Sequence, residues 1–156
     1  MSLIFLDTSA LLKLYLPEIG SGWLKTFITG NNLAISELAL YESATVLRRR
    51  YLEGSLTLQQ ASTLHLNLQR ESLTYITIPL GTNRQLERVI AFAFNLPSSL
   101  RLRALDAIHL AAAEITSELA KVQTPPENYI FVSADRQFLR VVQAQGFTTE
   151  NPEDHP

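Results

Sequence analysis

Four carboxylates stand where carboxylates are expensive. Asp7 ends the apolar run of residues 3–6 and precedes the hydroxyl pair Thr8-Ser9, and Asp135 follows the strand-like run Tyr129-Ile130-Phe131-Val132 in the same way. Asp106 lies in RALDAIHLAAAE among Leu105, Ala107, Ile108 and Leu110, where aspartate is a poor helix residue and costly to bury alone. Glu42 comes one and a half turns into a helix that starts after Ser36. The helix dipole accounts for Glu37 in the first turn and does little for Glu42. Gathered at one place, such groups repel and raise one another's pKa values unless a cation neutralises them. Oxygen donors with no cysteine and no histidine pair favour a hard ion, Mg²⁺ or Mn²⁺, over zinc. An ion held this way suits phosphoryl chemistry, because it activates water and stabilises charge on a phosphate.

Each residue also has a plainer explanation. Asp7 and Asp135 could serve only as helix N-caps. Asp106 could pair with Arg103 one turn back, and Glu42 could be a solvated surface glutamate. His109 lies on almost the same face as Asp106, and a lone histidine there reads as a packed, hydrogen-bonded core residue.

The rest of the composition narrows the setting. A chain of 156 residues is most simply one domain, able to bury roughly 70% of its unfolded surface. We read residues 1–150 as that domain and residues 151–156, NPEDHP, as a polar tail. No stretch approaches the roughly 20 apolar residues of a membrane span, and MSLIFLD does not read as a signal peptide. Zero cysteines exclude disulfides, thiolate catalysis and thiolate zinc sites, and a cytoplasmic home fits. The net charge of −2 confines any nucleic-acid affinity to local patches. Ten arginines against three lysines favour planar, bidentate contact with phosphate or carboxylate.

Strands must position the acids. The pattern predicts strands at residues 3–6, 33–35, 75–78 and 129–132, with a short one at 147–149. Helices are expected at 9–16, 20–28, 36–53, 57–71, 83–94, 100–121 and 137–145, with the serines of LPSS placed to cap the sixth. This alternation argues for α/β, a three-layer α/β/α sandwich with a central, mostly parallel sheet. In such sheets ligands bind at the carboxyl ends of the strands, at the switch point of strand order. Asp7 and Asp135 both stand at such ends, so their side chains can converge.

FLDTSALLKLY, ISELALYESATVLRR, LRALDAIHLAAAE, FVSADRQFL and GFTTENPED, in that order, resemble the successive motifs of PIN-domain ribonucleases, nearest to the VapC-type toxins of toxin–antitoxin pairs. DTS alone is weak; LDAIHLAAA followed by VSAD is specific. The resemblance implies a PIN-like fold with an acidic pocket, Mg²⁺- or Mn²⁺-dependent cleavage of RNA, a homodimer, and a small antitoxin that blocks the pocket. The family's acids fall on Asp7, Glu42, Asp106 and Asp135, which it casts as catalytic and metal-holding, and its hydroxyls on Ser9 and Ser133. The chain departs from the pattern in the longer link LPSSLRL and in residues 56–80, which carry no motif.

Arg48, Arg49 and Arg50 form the densest basic cluster, and Arg101, Arg103 and Arg136 bracket two of the acids. They are candidate RNA contacts, although a solvated helix face is the usual fate of a charge run. Leu12, Tyr15, Leu16, Trp23 and Phe27 could supply a dimer or antitoxin surface, or simply core. Two other readings stay open. One is a catalytically silent PIN-like interaction module. The other is a phospho-acceptor receiver domain, against which stands the lack of a late strand-end lysine.

Overall fold

A computed structural model describes residues 1–155. Its chain order is β1 (Ser2–Leu6), α1 (Thr8–Leu12), α2 (Ser21–Phe27), β2 (Asn32–Ser36), α3 (Leu38–Leu52), α4 (Leu58–Ser72) and β3 (Ile76–Ile78). There follow α5 (Asn83–Asn95), α6 (Ala104–Val122), β4 (Asn128–Val132), α7 (Arg136–Ala144), β5 (Thr148–Glu150) and a 3₁₀ turn at Pro152–Asp154. The five strands form one sheet in the order β3-β2-β1-β4-β5, and every pairing is parallel.

That order follows from burial. Leu3, Ile4, Phe5 and Leu6 are each at most 1% exposed, so β1 has no solvated face and must lie centrally with helices on both sides. Its alternate residues serve two cores. Leu3 and Phe5 join Phe131, Leu110, Phe138 and Val142 beneath α5, α6 and α7. Ile4 and Leu6 join Leu11, Leu24, Leu47 and Leu68 beneath α1 to α4. Each large apolar side chain buried this way contributes about 1.5–3 kcal/mol. The expected three-layer α/β/α sandwich is the observed one. A receiver domain is excluded, because its strand order is 2-1-3-4-5 and here β1 lies between β2 and β4.

Several boundaries differ from the sequence expectation. The helix expected over 9–16 closes at Leu12, and the chain continues in tight turns whose amides reach back three residues, Lys13 to Ala10 and Leu14 to Leu11. The sixth helix starts at Ala104 rather than 100, and the LPSS serines do not cap it; Arg103 holds the N-cap position without a side-chain bond. The physical reason is spacing. Leu100 and Leu102 both pack against the core, which an extended segment allows at i, i+2 and a helix does not. Ser36 ends β2, and Glu37 stands at the N-cap of α3.

Of the segment read as a polar tail, residues 151–155 fold back onto α2, and Pro156 lies outside the described residues. Asn151 and Pro152 are buried, His155 stacks on Trp23 at 4.0 Å, and Arg136 pairs with Asp154. Among the described residues no helix is long and apolar enough to cross a membrane.

Candidate acidic active site

The strand order switches direction between β1 and β4, and Leu6 lies in register with Val132. The next residues on each strand, Asp7 and Ser133, are therefore neighbours. The Ser133 hydroxyl donates to Asp7 Oδ2 at 2.6 Å. The Ser9 hydroxyl and the Ala10 amide donate to Oδ1 at 2.7 and 2.9 Å. Asp7 thus is an N-cap, of α1, yet its carboxylate is 6% exposed at the floor of a cleft of about 460 Å³. Burial pushes its pKa up, opposed by the His109 ring, the Ser133 hydroxyl, the Ala10 amide and the Ser9 hydroxyl.

Glu42, Asp106 and Asp135 line the same cleft. Glu42 projects from the middle of α3, and its Oε1 accepts from the Thr8 hydroxyl at 2.5 Å and lies 2.6 Å from His109 Nε2. Burial works to raise the Glu42 pKa. The His109 and Thr8 hydrogen bonds, with the charges beside it, outweigh that and hold it below the usual range. Asp135 caps α7 through the Gln137 and Phe138 amides. Those bonds and Arg103 overcome its partial burial and lower its pKa as well. Glu37 is turned away from the cleft and accepts from the Leu80 amide at 2.8 Å, pinning the loop after β3.

Arg103 decides the local electrostatics. Its Nε donates to Asp106 Oδ2 at 2.7 Å, and its guanidinium also reaches Asp135 Oδ2. The plainer reading of Asp106, a salt bridge one turn back, is therefore present, but the same cation spans a second acid 32 residues away. Among the described residues no three Asp, Glu or His side chains converge closely enough to form a ready metal cluster. The donor chemistry nevertheless fits a hard cation. The carboxylates line one cleft without any thiolate, and two of them already share a positive group.

The arginines divide. Arg49, Arg50 and Arg103 line the cleft. Arg48 lies instead in a separate apolar groove between α3 and α4, with Tyr51 and Leu58. Arg101 is exposed and does not line the cleft, and Arg136 is engaged by Asp154. Of the apolar residues expected as a partner surface, two are core and Tyr15, Trp23 and Phe27 are half-buried against it. Leu12 and Leu16 are 5% and 8% exposed, and Trp23 stacks between Phe27 and His155. The exposed apolar groups are elsewhere, among them Leu86, Ile90 and Phe94, one turn apart on α5.

Sequence reasoning missed two cleft features. His109 is hydrogen-bonded as expected, but its partner is one of the four acids. Lys13 is 2% exposed, and its ammonium is satisfied by Glu18 Oε2 at 3.3 Å, Ile19 O at 3.0 Å and Glu153 Oε1 at 3.0 Å. The only available signal for Lys13 was a lysine inside the otherwise apolar SALLKLYL.

Comparison with known proteins gives the family and the fold. The PIN domain family model matches residues 4–143. Ribonuclease VapC47 of Mycobacterium tuberculosis (strain CDC 1551 / Oshkosh) is 32% identical over 155 residues, which cover 96% of this chain and 97% of that relative. The crystal structure of FitAcB from Neisseria gonorrhoeae superposes with a TM-score of 0.66 at 15% identity, over 98% of this chain and 99% of the other. VapBC2 from Rickettsia felis, bound to a DNA fragment from its promoter, gives a TM-score of 0.64 at 16% identity, over 96% and 98%. At those identities the two structures speak to the fold alone; the family match rests on sequence. By that match over most of its length, the chain belongs to the PIN-domain family.

Proposed function

We propose that this protein is a metal-dependent endoribonuclease that hydrolyses RNA phosphodiester bonds, the toxin of a toxin–antitoxin pair. The observation that carries the reading is the meeting of Asp7, Glu42, Asp106 and Asp135 in one cleft at the carboxyl ends of β1 and β4. Kinship with a VapC ribonuclease supports it. Asp7 and Asp106 would hold Mg²⁺ or Mn²⁺, with Glu42 and Asp135 completing the acidic cup. When bound, such an ion supplies an activated water and a Lewis acid for the phosphate.

The chain's own residues do the remaining work. Ser9 and Ser133 hold the Asp7 carboxylate in one orientation. Arg49 and Arg103, each more than 60% exposed though paired with Glu53 and with Asp106 and Asp135, would turn to meet phosphates of the RNA. Arg50 is held at 2.5 Å by Glu18 and shapes the cleft wall. Arg48, Arg101 and Arg136 would act only on RNA that extends past the cleft. An antitoxin protein is the proposed partner, since the similar folds are those of toxin–antitoxin complexes, and a homodimer is the proposed assembly.

The purified, antitoxin-free protein is expected to cut RNA in Mg²⁺ or Mn²⁺ and to stop in EDTA, read by gel on structured RNAs including tRNA. Metal-independent cutting would remove the cation from this reading, and no cutting with either ion would replace it with a silent binding module. Arg103 makes a second expectation. Arg103→Ala removes the cation that competes for Asp106 and Asp135, so Mn²⁺ titrated by electron paramagnetic resonance should bind several-fold more tightly. The gain is bounded because Arg103 is exposed, and exposed ion pairs are worth about 0–1 kcal/mol. Unchanged affinity would mean that Arg103 does not contest the ion.

A further inference from the structure

His109 is 3% exposed and yet borders the acidic cleft. Its Nε2 lies 2.6 Å from Glu42 Oε1 and 3.2 Å from Thr8 Oγ1, and the Thr8 hydroxyl donates to that same carboxylate oxygen at 2.5 Å. An ionised carboxylate oxygen can only accept, so the ring donates from Nε2. The other ring nitrogen, Nδ1, is buried with no hydrogen-bond partner, which suits the bare nitrogen of the Nε2-protonated tautomer. A histidine with one orphaned nitrogen is a poor way to fill a core between Ile108 and Leu110, where leucine would pack without loss. What it contributes is a fixed hydrogen bond to Glu42.

The two oxygens of Glu42 are therefore unequal. Oε1 is saturated by two donors, whereas Oε2 has no hydrogen-bond partner among the described residues. We infer that His109 is a positioning residue: with Thr8 it locks Glu42 through Oε1, so that this acid serves the cleft through Oε2 alone. The consequence is that Glu42 acts with a single oxygen on a cation. Without the lock, the Glu42 side chain samples rotamers in which neither oxygen is placed. The inference rests on the nuclease reading for its meaning, but the pairing itself needs neither metal nor RNA to be tested.

The first arm is the long-range ¹H–¹⁵N spectrum of the His109 ring in metal-free protein. The Nε2-protonated tautomer is expected, with an Nε2 proton that moves upfield in Glu42→Gln. An Nδ1-protonated ring, or a spectrum indifferent to Glu42→Gln, overturns the inference. The second arm compares His109→Leu with His109→Gln, whose amide can still donate. His109→Leu should melt no lower than the parent protein yet bind Mn²⁺ on the order of 10- to 100-fold more weakly, as loss of an orienting partner does. Its kcat should fall with little change in KM, and His109→Gln should recover most of the loss.

If both variants bind Mn²⁺ like the parent, or if both lose binding only in proportion to a lowered Tm, His109 is core and nothing more. If the parent protein cuts no RNA while the ring spectrum and Mn²⁺ affinities behave as expected, the nuclease reading falls and the positioning of Glu42 stands.

Discussion

Asp7→Asn is expected to abolish RNA cleavage while making the metal-free protein harder to melt. The carboxylate is 6% exposed and lines the cleft with Glu42, Asp106 and Asp135. Replacing it by a neutral amide removes the negative charge that the chemistry would need, a loss on the order of 10²- to 10³-fold in rate by comparison with other preorganised electrostatic groups. The fold should survive. Asparagine is as good an N-cap as aspartate, its oxygen can keep the Ser9 and Ala10 bonds, and the Ser133 hydroxyl can turn to accept from its nitrogen.

Stability should move the other way. Burial raises the Asp7 pKa above its ordinary value of 3.8. A carboxyl raised in this way favours the folded state below that ordinary value, and the contribution is lost as pH rises through the folded pKa. At neutral pH, in EDTA, burying this acid thus disfavours the folded state, a cost that Asp7→Asn relieves. A Tm rise of about 2–4 °C corresponds to roughly 1 kcal/mol in a domain of this size, and the rise should shrink below pH 4. A variant that cuts RNA like the parent would remove Asp7 from the chemistry. One that melts lower would mean that the carboxylate's hydrogen bonds outweigh its desolvation.

Gly20→Ala carries the largest expected loss of stability. Gly20 precedes α2 with φ of 80°, a left-handed conformation that costs other L-residues roughly 1–2 kcal/mol. More important, a Cβ built there would lie 2.1 Å from the carbonyl oxygen of Pro152 and 2.4 Å from its carbon. Neither is the end of a flexible side chain, so the turn at Pro152–Asp154 must move. That turn supplies Glu153 to the buried Lys13 ammonium and places His155 against Trp23, so the displacement would strip a buried cation of one partner. A drop in Tm of about 5 °C or more is expected from a combined cost of roughly 2 kcal/mol or more.

Gly30→Ala is the control. Its φ is 76°, but a Cβ there meets nothing within 4 Å, so it reports the backbone penalty alone. Equal losses in the two variants would mean that the turn gives way freely. A larger loss at Gly20, measured by thermal melts in the same buffer, would show that the C-terminal turn is part of the folded unit.

The fold was legible because its signals are local. Four apolar residues in a row at 3–6 require a strand covered on both faces, and an alternation of such runs with helical periods leaves few arrangements other than a layered parallel sheet. The helix boundaries that slipped did so where tertiary packing overrode local pattern. Leu100 and Leu102 fit a helix by composition, but both reach the core only if the backbone is extended. Residues 151–155 look like a solvated tail by polarity, yet they are held by Gly20, Trp23 and Lys13 from the far end of the chain.

The candidate site divides along the same line. Sequence by itself determined which residues were misplaced: two aspartates ending core strands, one inside an apolar helix, and a glutamate past the reach of the helix dipole. It also determined that Asp7 and Asp135 would stand at carboxyl ends of strands, because residue types alone mark where those strands stop. Only the tertiary structure decided what each acid touches. His109 meets Thr8 and Glu42 across 101 and 67 residues, Arg103 reaches Asp135 across 32, and Lys13 finds Glu153 across 140. It likewise put Arg49 and Arg50 on the cleft and left Arg48, between Leu47 and Arg49 in sequence, on another face of α3. Such pairings arise from sheet order and helix rotation, to which the whole packed core contributes, and from charges that seek one another once the chain has closed. A local pattern names the participants; the meeting place is a property of the whole fold.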